Sequence, residues 1–202
     1  MGNCIEICGR KVEVNESQLA QVKELLGMTS TRLADIAVGG TFLIGNHEMV
    51  VLEQDKGKTL AIRKSCLGDD VTFGSNNNYN GSKPDGICSQ FAEEIEEAVG
   101  AENLVEHVVD LTSDDGLKDY GQITRKASLL TAEQYRKCVD VLDQHKLDAY
   151  WWLATPHSTA RHENDRWAKC VTPSGGLNCG NYIGDFGVRP FCILKSNIFV
   201  SM

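Results

Sequence analysis

Residues 150–158 read YWWLATPHS and set two of the chain's three tryptophans side by side. In an extended strand, successive side chains project to opposite faces, so Trp151 and Trp152 cannot serve the same surface. One of them is expected in the core. The other is expected to form the floor beneath a binding surface, joined there by Trp167 from the next strand-like segment, DRWAKCV. Beyond that segment, a PSGG turn leads to LNCGNYIGDFG, then VRPFCIL and SNIFVSM, which read as further short strands and loops.

Upstream the pattern changes period. Thr131 and Gln134 make a capping box for TAEQYRKCVDVLDQHK, a helix expected to turn Tyr135, Cys138, Val139 and Leu142 inward. SQFAEEIEEAVG reads as a second helix, capped by Ser89, stopped by Gly100, and facing the core with Phe91, Ile95 and Val99. Three segments, GGTFLIG, HEMVVLEQ and KTLAIRK, form a meander of strands. Residues 69–86, DDVTFGSNNNYNGSKPDG, are dense in Asn, Gly, Asp and Ser and read as a surface loop. NESQLAQVKELLG reads as a short amphipathic helix, with Leu19, Val22, Leu25 and Leu26 on one stripe and Gly27 as its stop. The expected class is α+β, with two helices and a β-rich, loop-rich C-terminal half. An N-terminal arm would span residues 1–36 and the main domain residues 37–202.

Bulk properties narrow the function. A chain of 202 residues, 42% apolar with four prolines, can bury a sizeable core. Its net charge of -8 disfavours phosphate backbones and anionic membranes, so nucleic acid is not an expected partner. No apolar run suits a bilayer span, and no apolar stretch behind a basic start marks a signal peptide. Membrane insertion is therefore not expected. The location expected is the cytoplasm, or the outside of a phage or cell-surface assembly that carries the protein.

Eight cysteines without a CxxC read as reduced thiols, and Cys4 and Cys8 lack the second pair that a zinc site needs. Asp185-Phe186-Gly187 spells a kinase magnesium motif, yet no Gly-rich phosphate loop or HRD precedes it. There is no HExxH, GxSxG or GxxxxGK[ST], and His157, His162, Cys170 and Cys179 fit no metal-ligand spacing. Asp114 and Asp115 read as solvated carboxylates, and no cofactor is expected.

The segments WWLATP (from Trp151) and GVRPF (from Gly187) resemble the paired WWLRSP and GVRP signatures of an uncharacterised bacterial and phage domain family. The resemblance extends through residues 39–64 and through SLLTAEQYRK. It implies a C-type-lectin-like fold related to formylglycine-generating enzymes, in which the two signatures frame a ligand-binding surface. Ala154 and His157 depart from the family's usual Arg and Gly. Members of this fold also serve as variable proteins of diversity-generating retroelements, and residues 174–187, SGGLNCGNYIGDFG, resemble such a rewritten segment.

The expected ligand-binding residues are therefore Asn178, Asn181, Tyr182, Asp185 and Phe186, above Trp152 and Trp167; loops on a rigid frame can join aromatic area to adaptable hydrogen bonding. The alternative is that Asn and Gly only make turns while Tyr182 and Phe186 fill core gaps. Arg189 is expected to be structural, tied to carbonyls or to Asp185. The function expected is non-enzymatic binding of a protein or cell-surface ligand. One rival is a phage-encoded intracellular inhibitor of a host defence enzyme, which would act through the same surface or through Glu93, Glu94, Glu96 and Glu97. The other is an enzyme of the formylglycine-generating kind, using Cys170 and Cys179.

Overall fold

The expected meander forms as three antiparallel strands, Thr41–Ile44, His47–Asp55 and Lys58–Arg63, in a computed structural model that describes residues 3–7, 10–25 and 30–202. These strands are the middle of an eight-stranded sheet. Its spatial order is Ala127–Ser128, Phe191–Lys195, Lys58–Arg63, His47–Asp55, Thr41–Ile44, Phe199–Ser201 and Ser30–Arg32, and Leu104–Val105 also pairs with Phe191–Lys195. All of these pairings are antiparallel. A late segment of the chain therefore lies in the interior of a sheet begun by the early ones.

Met49, Val50, Val51 and Leu52 are buried in succession because layers cover both faces of this sheet. On one face Met49 and Val51 join Phe42, Phe91 and Ile95, the last two from the helix Lys83–Val99. On the other, Val50 and Leu52 join Tyr135, Leu142, Trp151 and Phe191. A third apolar cluster gathers around Trp152, with Phe73, Tyr79, Val109 and Val188. The architecture is mixed α+β, and among the described residues no helix is long and apolar enough to cross a membrane.

Several boundaries differ from those read in the sequence. The long helix is capped at Ser82, about two turns before Ser89: the Ser82 hydroxyl caps the Asp85 amide, and Pro84 sits in the first turn, where a missing N–H is harmless. Ser89 is interior and donates its hydroxyl to the Asp85 carbonyl instead. Gly100 does end the helix, at φ 87. The capping box at Thr131 and Gln134 forms, but its helix breaks at Cys138 into Ala132–Lys137 and Val139–Gln144.

The Asn-rich stretch is exposed along much of its length but is pinned to the core, since Phe73, Asn77 and Tyr79 are completely buried. Asn77 donates to the carbonyls of Ser158 and Trp167 and accepts from the Tyr120 hydroxyl. The expected arm also ends too late. Ser30–Arg32 pairs with Phe199–Ser201, and Leu33 and Ile36 are buried in the core, so these residues belong to the main body. Residues 3–25 contain the hairpin Asn3–Ile7 with Arg10–Val14 and the helix Glu16–Leu25. Leu26, Gly27 and Cys8 lie outside the described residues.

Candidate functional site

A three-stranded antiparallel sheet, Trp151–Pro156, Trp167–Val171 and Leu177–Asn181, carries the expected site. Paired positions share a face, so the register sorts its side chains into two sets. Trp152, Ala168, Cys170, Asn178 and Gly180 fall on one face; Trp151, Trp167, Lys169, Val171, Cys179 and Asn181 fall on the other. Trp167 therefore cannot join Trp152 as a floor. It projects from the opposite side and is 40% exposed, whereas both Trp151 and Trp152 are buried.

Trp152 does lie beneath something. Its ring meets Phe186 at 4.3 Å between centroids, and Phe186 in turn stacks on the half-exposed Tyr150 at 5.2 Å, so a column of three rings rises from core to solvent. Phe73 closes the bottom edge-on at 5.1 Å, and the indole N–H donates to the Val71 carbonyl at 2.7 Å. The column needs glycine at position 180, because a Cβ there would stand 2.7 Å from the Trp152 ring. Phe186 thus fills a gap beside the core, as the alternative sequence reading had it.

The two signature segments are neighbours. The Trp152 amide donates to the Gly187 carbonyl at 2.9 Å and the Gly187 amide to the Tyr150 carbonyl at 2.8 Å, a parallel bridge between WW and GVRP. Two residues on, Arg189 is 1% exposed and donates to the carbonyls of Arg63, Lys64 and His145, with its guanidinium 5.3 Å from the Trp151 ring centre. Its partners are carbonyls and not Asp185. Burial lowers its pKa to about 10, against the opposing influence of Cys66 and Tyr135.

Above the column, Leu177–Asn181 turns through Ile183 into Asp185–Phe186, which pairs with Val71–Thr72. Asn178 and Asp185 are exposed, while Asn181 and Tyr182 are half-buried. Asn181 accepts from the Ile183 amide and Asn178 from the Cys179 amide, so both shape their own turns. Asp185 borders a cavity of about 560 Å³ lined also by Asp70, Thr72, Lys83, Ile87 and Gln90. The sequence reading missed this cavity. Ser82, with Pro84 two residues on, was the signal that would have brought the helix start, and Lys83 with it, beside Asp185.

In the acidic turn after Asp110, Asp114 and Asp115 are exposed to solvent, as expected, and are also held by partners. Asp114 meets Lys169 at 3.1 Å and Arg136 at 3.3 Å, and Asp119 meets Thr159 and Arg161. Asp115 accepts from Ser113 and Ser158 and faces His162 at 3.0 Å. The hydroxyls of Ser113 and Ser158, and then His162, hold the Asp115 carboxyl well below the ordinary range. For Asp114, burial pushes upward, but Lys169 and Arg136 together bring it below normal.

These placements separate the groups once considered for chemistry. Cys170 and Cys179 sit on adjacent strands but on opposite faces, and burial drives the Cys170 thiol up to about 12. His162 is taken by Asp115, whereas His157 Nδ1 lies 3.6 Å from Cys179 Sγ. On the long helix, Glu94 meets His47 at 2.7 Å and Glu96 meets Lys126. Comparisons with protein-family models, curated proteins and solved structures found no match.

Proposed function

We propose that this chain is a C-type-lectin-like recognition protein of bacterial or phage origin, which binds a protein or cell-surface ligand through residues 178–186 without transforming it. The observation that carries this reading is the division of labour at the ribbon. Asn178, Asn181, Tyr182 and Asp185 present amide, phenol and carboxylate groups, while Trp152, Gly180 and Phe186 hold the ribbon from below and a cavity of about 560 Å³ opens beside Asp185. A rim of adaptable polar groups on a rigid aromatic base limits the entropy lost on binding.

The bridge between Trp151 and Gly187 supports the lectin-like part of the proposal, because it sets the two family signatures edge to edge under one surface. The variable-protein part rests on the composition of residues 174–187. Two experiments test the two parts separately. In a display library randomised at Asn178, Tyr182 and Asp185, most clones are expected to keep the parent's unfolding temperature; a library that mostly fails to fold would make these residues structural and overturn the surface. Sequencing the flanking DNA is expected to find a reverse transcriptase gene and an imperfect repeat of the codons for residues 174–187, and their absence would remove the retroelement assignment alone.

A further inference from the structure

We infer that Cys179 and His157 form a reactive thiol site that exchanges with small-molecule disulfides, leaving Cys179 as a mixed disulfide. The pair is geometric before it is chemical. Cys179 Sγ lies 3.6 Å from His157 Nδ1, within reach for transfer of the thiol proton. Backbone bonds fix both residues: the His157 amide donates to the Trp167 carbonyl at 2.8 Å, and the Cys179 amide to Asn178 Oδ1 at 2.8 Å.

Among the six cysteines from Cys66 to Cys192, Cys88, Cys138, Cys170 and Cys192 are buried, while Cys66 and Cys179 reach solvent in part. Cys66 has no imidazole partner, and burial pushes its thiol up to about 11 even with Arg189 nearby. Cys179 stands instead at the end of the short sheet where the Trp167 face meets solvent, across from the buried, ion-paired Lys169. The 40% exposed Trp167 ring on that face offers an apolar shoulder to an incoming group.

The step balances without a further reagent. His157 Nδ1 takes the Cys179 proton, the thiolate attacks one sulfur of the disulfide, and that S–S bond breaks as the Cys179 S–S bond forms. The displaced thiolate then takes the proton from the imidazolium and leaves as a free thiol. Cys179 is oxidised to the disulfide level, and the departing half of the reagent is reduced.

The test uses the intact chain and oxidised glutathione as probe, followed by whole-protein mass and peptide mapping. The adduct on Cys179 is expected to form at least about tenfold faster than any at Cys66. Cys179→Ser should abolish it, and His157→Gln should slow it about tenfold at an unchanged unfolding temperature. First reaction at Cys66, equal rates at several cysteines, or a His157→Gln rate equal to the parent's would each overturn the proposal. If His157→Gln does not fold, His157→Asn takes its place, and a rate equal to the parent's in that variant overturns the proposal.

Discussion

The two faces of the sheet Trp151–Pro156, Trp167–Val171 and Leu177–Asn181 share one backbone and have little else in common. On the Trp152 face, Ala168, Cys170 and Gly180 are small or buried, and the aromatic column packs onto them. On the Trp167 face the same strands start buried at Trp151 and Val171, pass the ion-paired Lys169, and end at a half-exposed Cys179 and an exposed Trp167. A register shift of one residue would exchange these sets, turning Trp152 away from Phe186 and Lys169 away from Asp114. Alternation, more than composition, decides which residues hold the fold and which meet a partner.

The sharpest way to break this contrast is to delete each indole in turn. Trp152→Ala should lower stability by roughly 3–5 kcal/mol, whereas Trp167→Ala should cost about 1 kcal/mol or less, both read from denaturant midpoints. Equal losses would mean that the faces are not distinct. Next in size is Gly180→Ala, whose added methyl must displace the Trp152 ring; an expected cost of about 1–3 kcal/mol should come with a shift in tryptophan fluorescence.

Acid should act on the turn that carries Asp110, Asp114 and Asp115, which ties to the Trp167 face through Lys169. The carboxyls of Asp110, Asp114 and Asp115 sit below their ordinary values: Asp110 through Thr112 and Gln122, Asp115 through Ser113 and Ser158, and Asp114 through Lys169 and Arg136 against the upward push of burial. A folded-state pKa below the unfolded value stabilises above the unfolded one, about 3.9, and that stability is lost as pH falls through the folded one. Burial also holds His107 down to about 4, so melting temperature should start to fall below about 6.5 as the unfolded imidazole takes a proton, and fall further below about 4 as these carboxyls protonate; Asp115→Asn should make only the second fall shallower. The smallest effect belongs to the rim. Asn178→Ala and Asp185→Ala should each change stability by no more than about 0.5 kcal/mol, and a larger loss at Asp185 would tie the cavity edge to the fold.

Local signals carried far in the sequence and then stopped at particular residues. The meander, the Thr131 capping box and the Gly100 stop were legible because each rests on neighbours in the chain. Burial of Asn77 was not, since an Asn in a run of Asn and Gly reads as a turn until Ser158, Trp167 and Tyr120 arrive from 43 to 90 positions away. At the site, alternation separated Trp151 from Trp152, but the same rule applied across strands needs the register, which sequence did not supply; hence Trp167 was set on the wrong face. The pairing of His157 with Cys179 depends on that register too.

The place of Phe191–Lys195 between Lys58–Arg63 and Ala127–Ser128 constrains the order of assembly. On a ribosome, both flanks of this strand emerge before the strand does, so the nascent chain holds two sheet edges apart with no partner for either. Closing that gap joins residues more than a hundred positions apart, a slow step in folding. Until Phe191–Lys195 clears the exit tunnel, the chain offers open strand edges that a chaperone can bind.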